Sequence, residues 1–161
     1  MARARRGPGR AGIGVTLLRR LDHVAVVVRS TDDALRYYTG RLGLRVHSTE
    51  EIDEPHVRLT YLDAGNTFLQ LVEPLDDASA LGSWLDEHGE GLHHICFGVE
   101  DVATTVATLS DDGAAPVIGS GRGRRSAFVS GGGTHGVRIE CTEFSREQDV
   151  ELMSGWLPPG D

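Results

Sequence analysis

The sequence predicts an α+β fold made of two βαβββ repeats, and three observations carry that prediction. Leu21-Asp22-His23-Val24-Ala25-Val26-Val27-Val28 returns as Leu92-His93-His94-Ile95-Cys96-Phe97-Gly98-Val99. In each, a histidine two residues after a leucine opens an apolar run, the pattern of a buried strand. These histidines, His23 and His94, stand 71 positions apart. A second pair of runs, Phe68-Leu69-Gln70-Leu71-Val72 and Val137-Arg138-Ile139-Glu140-Cys141, keeps nearly that spacing, with Gln70 and Glu140 70 positions apart. Between the members of each pair, helical periodicity is followed by short alternating runs, so each repeat opens on a His-bearing strand and closes on a strand with a polar residue among apolar ones.

Residues 1–20 mix Arg, Gly and Ala without apolar periodicity and are expected to form a disordered, Arg-rich leader. The first strand, about 21–29, runs into Ser30-Thr31-Asp32-Asp33, which supply an N-cap and first-turn acids for a helix through Tyr38. Gly40 and Gly43 end it. Alternation at Leu44-Arg45-Val46-His47 and Val57-Arg58-Leu59-Thr60-Tyr61-Leu62 predicts two more strands, and Ala64-Gly65-Asn66 turns the chain into a fourth over 67–72. The first module thus spans about 21–74. An acidic linker, 75–91, carries a short amphipathic helix around Leu81-Gly82-Ser83-Trp84-Leu85. The second module, about 92–144, repeats the order: a strand at 92–99, a helix at 102–109, then strands near 115–118, 126–130 and 136–142. Residues 145–161 form a C-terminal tail.

At 161 residues the chain is expected to be one domain or two very small ones, long enough to bury a substantial core, with 21–144 as the folded body. No apolar run approaches the roughly 20 residues of a membrane helix. The two cysteines, Cys96 and Cys141, sit inside strand patterns rather than at disulfide spacings, which suits the cytoplasm. The first twenty residues hold six Arg and no acid, leaving 10 basic against 24 acidic residues in the remainder. So acidic a body is a poor partner for nucleic acid. The chain contains no Lys, which excludes Schiff-base chemistry and a Walker-type phosphate loop.

If the two repeats pair face to face, His23, Gln70, His94 and Glu140 converge. Two imidazoles, a carboxylate and an amide oxygen suit a divalent metal. A lone His on an apolar strand is commonly a satisfied core residue, but two in register with two further polar residues are hard to bury unpaired, at about 1–3 kcal/mol each. His47, His56, His88, His93 and His135 read as surface or supporting groups. Tyr61 shares a strand face with Leu59, as a polar contact for a substrate or as a wall residue. Gly119-Ser120-Gly121-Arg122-Gly123-Arg124-Arg125 reads equally as an anion-gripping loop, with Arg122, Arg124 and Arg125 as substrate-binding residues, or as a solvated hairpin loop.

The segments LDHVAV (21–26), YYTGRLGLRV (37–46), LQLVEPL (69–75), WLDEHGEGLHHICFGVED (84–101) and GVRIE (136–140) resemble the vicinal oxygen chelate superfamily, the glyoxalase and bleomycin-resistance group. Within it, the methylmalonyl-CoA epimerases are the nearest match. The resemblance implies an open, barrel-like cup around one divalent metal ion per chain (Co, Mn, Mg, Ni or Zn), with His23, Gln70, His94 and Glu140 as ligands. Strand alternation independently favours His94 over His93, because adjacent side chains point to opposite faces. It also implies a homodimer and a small-molecule substrate, an acyl-CoA among the candidates.

Three departures from the epimerase pattern stand out. Leu59 occupies a position where those enzymes often carry an acid. Ser130-Gly131-Gly132 replaces a His-Pro-Lys segment, and the leader is extra. The expected activity is a metal-dependent epimerase or isomerase acting through a metal-bound enolate, with Glu140 as catalytic base. The alternatives are a specialised-metabolism isomerase, lyase or cyclase on a non-thioester substrate, and a non-catalytic protein that sequesters a small molecule.

Overall fold

The computed structural model describes residues 17–144. Its first half contains strand β1 (Arg20–Val27), helix α1 (Thr31–Tyr38), and strands β2 (Arg45–Ile52), β3 (Val57–Asp63) and β4 (Phe68–Pro74). Helix α2 (Ala80–His88) links it to β5 (Gly91–Val99), α3 (Val102–Leu109), β6 (Gly119–Gly121), β7 (Arg124–Phe128) and β8 (Ile139–Glu143). This is the expected α+β arrangement of two βαβββ modules. Each helix begins where a side chain replaces the missing backbone acceptor: Ser30 accepts from the Asp33 N–H, Ser79 from that of Gly82 and Asp101 from that of Thr104.

The eight strands form one mixed sheet in the order β2-β3-β4-β1-β5-β8-β7-β6, curled nearly closed into a cup. Within each module the His-bearing strand pairs parallel with the last strand, β1 with β4 and β5 with β8. The modules join edge to edge, through antiparallel pairing of β1 with β5. Curvature of one sheet, rather than two sheets stacked face to face, brings their polar residues together.

Alternation sorts the core. Ala25 and Val27 look into the cup with Val57, Leu59, Tyr61, Phe68 and Val72, whereas Val26 and Val28 join Leu62 and Leu71 beneath α1. Helix α3 packs Val102 and Val106 against Val99, Ala127 and Cys141 of the second module.

Several boundaries differ from the sequence expectation. Leu18 packs against the second module's core, Arg19 donates its N–H to the Gly98 carbonyl at 2.9 Å and Arg20 already lies in β1, so the leader expected over 1–20 ends sooner. Its remainder and the tail from 145 onward lie outside the described residues. The strand expected at 115–118 falls instead at Gly119–Gly121, beyond Pro116, whose ring nitrogen has no hydrogen to give to a ladder. The Arg-rich segment is therefore mostly strand. Gly121 pairs with Arg124, and the two residues between them, Arg122 and Gly123, both take positive φ (53° and 67°), the geometry of a tight two-residue hairpin turn.

Gly98 of β5 lies under the Phe144 ring. A Cβ there would sit 2.7 Å from one ring carbon and 2.8 Å from the next. Gly98→Val should therefore cost about 1–3 kcal/mol and lower the melting temperature by roughly 2–4 °C for each of them in calorimetry.

Candidate metal centre

Strand register builds the site. His23 stands opposite Cys96 and Ala25 opposite His94 across the β1–β5 pair, while Gln70 flanks Ala25 and Glu140 flanks Cys96. All of these side chains emerge on the cup face. His23 Nε2 lies 3.3 Å from His94 Nε2 and 3.3 Å from Glu140 Oε2, and His94 Nε2 lies 3.1 Å from that same oxygen. Ligand atoms held at about 2.0–2.2 Å from a shared cation stand roughly 3.0–3.4 Å apart, so this triangle has the dimensions of one face of a coordination shell. Gln70, also buried, gives its amide N–H to the Tyr61 hydroxyl at 2.6 Å, and its carbonyl oxygen is buried with no hydrogen-bond partner. An orphaned buried carbonyl is costly unless it meets a cation or donor. The donor set of two imidazoles, a carboxylate and an amide oxygen fits a divalent ion of borderline hardness.

Behind the imidazoles are two supports: Asp22, which the sequence did not single out, and His93, expected as a surface or supporting group. The pairing register skips a residue between Leu21 and His23, and this irregularity lets the buried Asp22 carboxylate accept from His23 Nδ1 at 2.8 Å. That bond leaves Nε2 of His23 as the lone-pair nitrogen, the arrangement by which a carboxylate orients a metal-binding imidazole. Three guanidiniums surround Asp22: Arg20 at 2.8 Å, Arg124 at 3.7 Å and Arg122 in direct hydrogen bond. In the second module, His93 occupies the place of Asp22. Its Nδ1 is 2.8 Å from His94 Nδ1, and its Nε2 receives Arg138 at 3.0 Å. Arg138 only donates, so His93 donates to His94 from Nδ1. A cation on His94 Nε2 requires that bond to reverse. Asp22 next to His23 and His93 next to His94 were the available sequence signals, since residues preceding a ligand are frequent supports where a strand bulges.

Burial opposes ionisation throughout the site, yet not every group yields to it. Desolvation raises the Asp22 and Glu140 carboxyls, but hydrogen bonds and charge from His23 for Asp22, and from both imidazoles for Glu140, hold them well below the carboxylate range. For Asp22 the Arg122 and Arg20 charges add to that effect. Burial lowers His23, while hydrogen bonds to Asp22 and Glu140 outweigh it and raise its pKa. His94 is lowered by burial, and His93 is pushed down to about 3 by burial and the neighbouring His94 and Arg138. Tyr61 is pushed above its ordinary range by burial, so its hydroxyl keeps its proton at neutral pH.

The centre opens into a cavity of about 440 Å³. His23, Gln70, His94, Glu140, Tyr61 and Arg122 all line it, and Glu140 is the single carboxylate among its described lining residues. Arg124 and Arg125, expected to contact substrate, are not among its described lining residues. Strand alternation sends Arg124 toward Asp22 and turns Arg125 outward to Glu143 at 3.1 Å. Leu59 lines the cavity, but the exposed His56 does not.

A family model for the Glyoxalase/Bleomycin resistance protein/Dioxygenase superfamily matches residues 22–130. The chain belongs to that superfamily. Among its relatives, the uncharacterized protein YqjC of Bacillus subtilis is 33% identical over 138 residues, covering 83% of this chain and 99% of its own. The ethylmalonyl-CoA/methylmalonyl-CoA epimerase of Cereibacter sphaeroides is 32% identical over 106 residues, 65% of this chain and 78% of that one. In structure, a Streptomyces coelicolor methylmalonyl-CoA epimerase variant bound to 2-nitronate-propionyl-CoA superposes with a TM-score of 0.70 at 33% identity, covering 80% of this chain and 96% of that one. This superfamily member is thus similar in sequence and fold to enzymes named as epimerases.

Asp22→Asn removes the negative charge that the surrounding arginines face and leaves His23 a neutral amide oxygen in place of a carboxylate. Loss of one partner from a buried ionic cluster costs about 3–5 kcal/mol, which thermal unfolding at pH 7 should register. The ordinary carboxylate pKa is about 4, and Asp22 in the fold lies below it. Its contribution is therefore complete above that value and fades as the pH falls through the folded one. The variant should lose part of the wild type's acid-side stability slope.

Proposed function

We propose that the protein is a divalent-metal-dependent isomerase that removes and returns the α-proton of an enolisable acyl substrate, a methylmalonyl-type thioester being the leading case. The observation that carries this reading is the triangle of His23, His94 and Glu140 at the head of a cavity in which Glu140 is the lone carboxylate among the described lining residues. The similarity to epimerases acting on ethylmalonyl-CoA and methylmalonyl-CoA supports it. The reading includes a homodimer, by resemblance to those enzymes.

His23, His94 and Glu140, with the Gln70 carbonyl, are the groups that would hold the ion. When bound, a divalent ion supplies Lewis acidity toward the substrate's acyl oxygen, which acidifies the neighbouring C–H. Glu140 is placed to take that proton: its carboxylate is kept ionised by two imidazoles and lies on the cavity wall. Asp22 fixes the His23 ring, and Tyr61 fixes the Gln70 amide. Burial of the cup floor excludes water from the carbanionic centre while the proton is away.

A non-thioester substrate is the second reading. It is favoured by Ser130-Gly131-Gly132, where Asp112 accepts from the Ser130 hydroxyl at 2.7 Å and Asp111 from the Gly132 N–H at 3.0 Å. Two acids there make that loop a poor neighbour for a coenzyme A phosphate. Calorimetric titration with coenzyme A separates the two readings, since binding supports the thioester and its absence the alternative.

With methylmalonyl-pantetheine in D₂O, the wild type should incorporate deuterium at the α-carbon, and a chelator should stop it. Glu140→Gln should slow exchange by about 10²–10⁴-fold, the usual contribution of a positioned base. Exchange that survives both treatments would contradict the assignment.

A further inference from the structure

The cavity is two-sided, and its sides differ in kind. Above the level of Tyr61 and Gln70, which pair across β3 and β4, the next inward-facing rung of the same strands is Leu59 opposite Val72. The rung after that is Val57, paired with Ile52 of β2. Two residues of strand advance the wall by about 7 Å, and Leu81 and Trp84 of α2 continue it. Across the cavity stands the second module's wall. Strand β8 runs antiparallel to β4 in the cup, so the rung beside Glu140 on this side is Arg138, its guanidinium over the Phe128 ring. The cavity has two cationic lining residues among those described, and Arg122 is already committed to Asp22. Arg138 contacts His93 and Phe128 and has no carboxylate within ion-pair distance among the described residues.

A cavity with an aliphatic wall on one side and a single arginine, the exposed Arg138, at the rim of the other suits an amphipathic anion. The volume of about 440 Å³ lies within the range of about 300–1,000 Å³ that encloses ligands much larger than a three-carbon acid. We infer that the site takes an acyl anion whose α-carbon carries an aliphatic branch longer than methyl, packed against Leu59 and Val72, with its charged group toward Arg138. This inference rests on the proposed function for where the α-carbon lies, and it names the substrate class of that site. Leu59 is then a specificity residue: a carboxylate in its place would put a second negative charge against the branch, whereas the isobutyl side chain completes an apolar groove from Gln70 to Trp84.

The test is a chain-length series on the full-length, metal-supplemented protein: methyl-, ethyl-, propyl- and butylmalonyl-pantetheine. Two readouts are taken, kcat/KM for α-deuterium exchange and the calorimetric Kd of the corresponding free alkylmalonates. Each buried methylene is worth about a fourfold gain, so three of them should improve both quantities by roughly sixtyfold from methyl to butyl if all are fully buried. Leu59→Glu should flatten or reverse the series, and Arg138→Gln should weaken all members alike. A series that is flat or falls in the wild type overturns the inference, whatever the variants do. Affinity that rises with chain length while no thioester exchanges its proton sustains the substrate class and overturns the proposed reaction instead.

Discussion

Everything at the centre depends on the antiparallel pairing of β1 with β5. Strand residues alternate faces, so a residue reaches the cup only at every second position. Joining the two modules along these edges puts His23 and His94 diagonally across one ladder, with Ala25 and Cys96 as the small residues between them. The parallel partners β4 and β8 then add Gln70 and Glu140 from outside. A slip of one residue in the β1–β5 register would put His23 and His94 on opposite faces, taking one imidazole out of the cup. The large cores on either side, one beneath α1 and one beneath α3, work against such a slip, because Val26 or Val99 would then exchange apolar neighbours for the polar interior.

Such a centre must keep charge in a buried place, and the chain does so with opposed pairs. Asp22 is enclosed by arginines from both modules, Arg20 of the first and Arg122 and Arg124 of the second. The β6–β7 turn that supplies Arg122 crosses to the first module, where the Arg122 N–H meets Glu50 Oε1 at 2.6 Å and its guanidinium covers the Tyr61 ring at 4.4 Å. One turn therefore closes the cup, neutralises the carboxylate that orients His23 and packs on the tyrosine that orients Gln70. Positive φ at Arg122 is the local cost of that placement, and its several contacts offset it.

The repeat, the strands that bear the polar quartet and the fold class were legible because periodicity two and the recurring Leu-x-His signal are local properties of sequence. Alternation singled out His94, but it did not foresee that the register irregularity between Ala25 and Val26 also brings His93 to the cavity wall. The place of Arg124 and Arg125 off the cavity wall was not legible, because a run of Gly and Arg looks like a loop and only the pairing of Gly121 with Arg124 shows that a two-residue turn lies within it. The role of Asp22 was hidden for the opposite reason. Alternation sends it to the far face, and only a register irregularity in the pairing with β5 lets it turn back to His23. Arg138 could be placed on a strand from sequence, but not opposite an aliphatic wall contributed by the other module. Such long-range juxtapositions come from closure of the sheet, not from any window of residues.

The central claim is that His23 and His94 bind one divalent ion through Nε2. Titration of cobalt(II) into protein carrying ¹⁵N-labelled histidine, followed by NMR, reads it directly among the seven histidines of the chain. The account predicts saturation at one ion per chain, with the largest paramagnetic shifts and broadening at Nε2 of His23 and His94, and weaker effects at His93. Saturation with those two nitrogens unperturbed, or with the strongest effects at His56, His88 or His135, would contradict it.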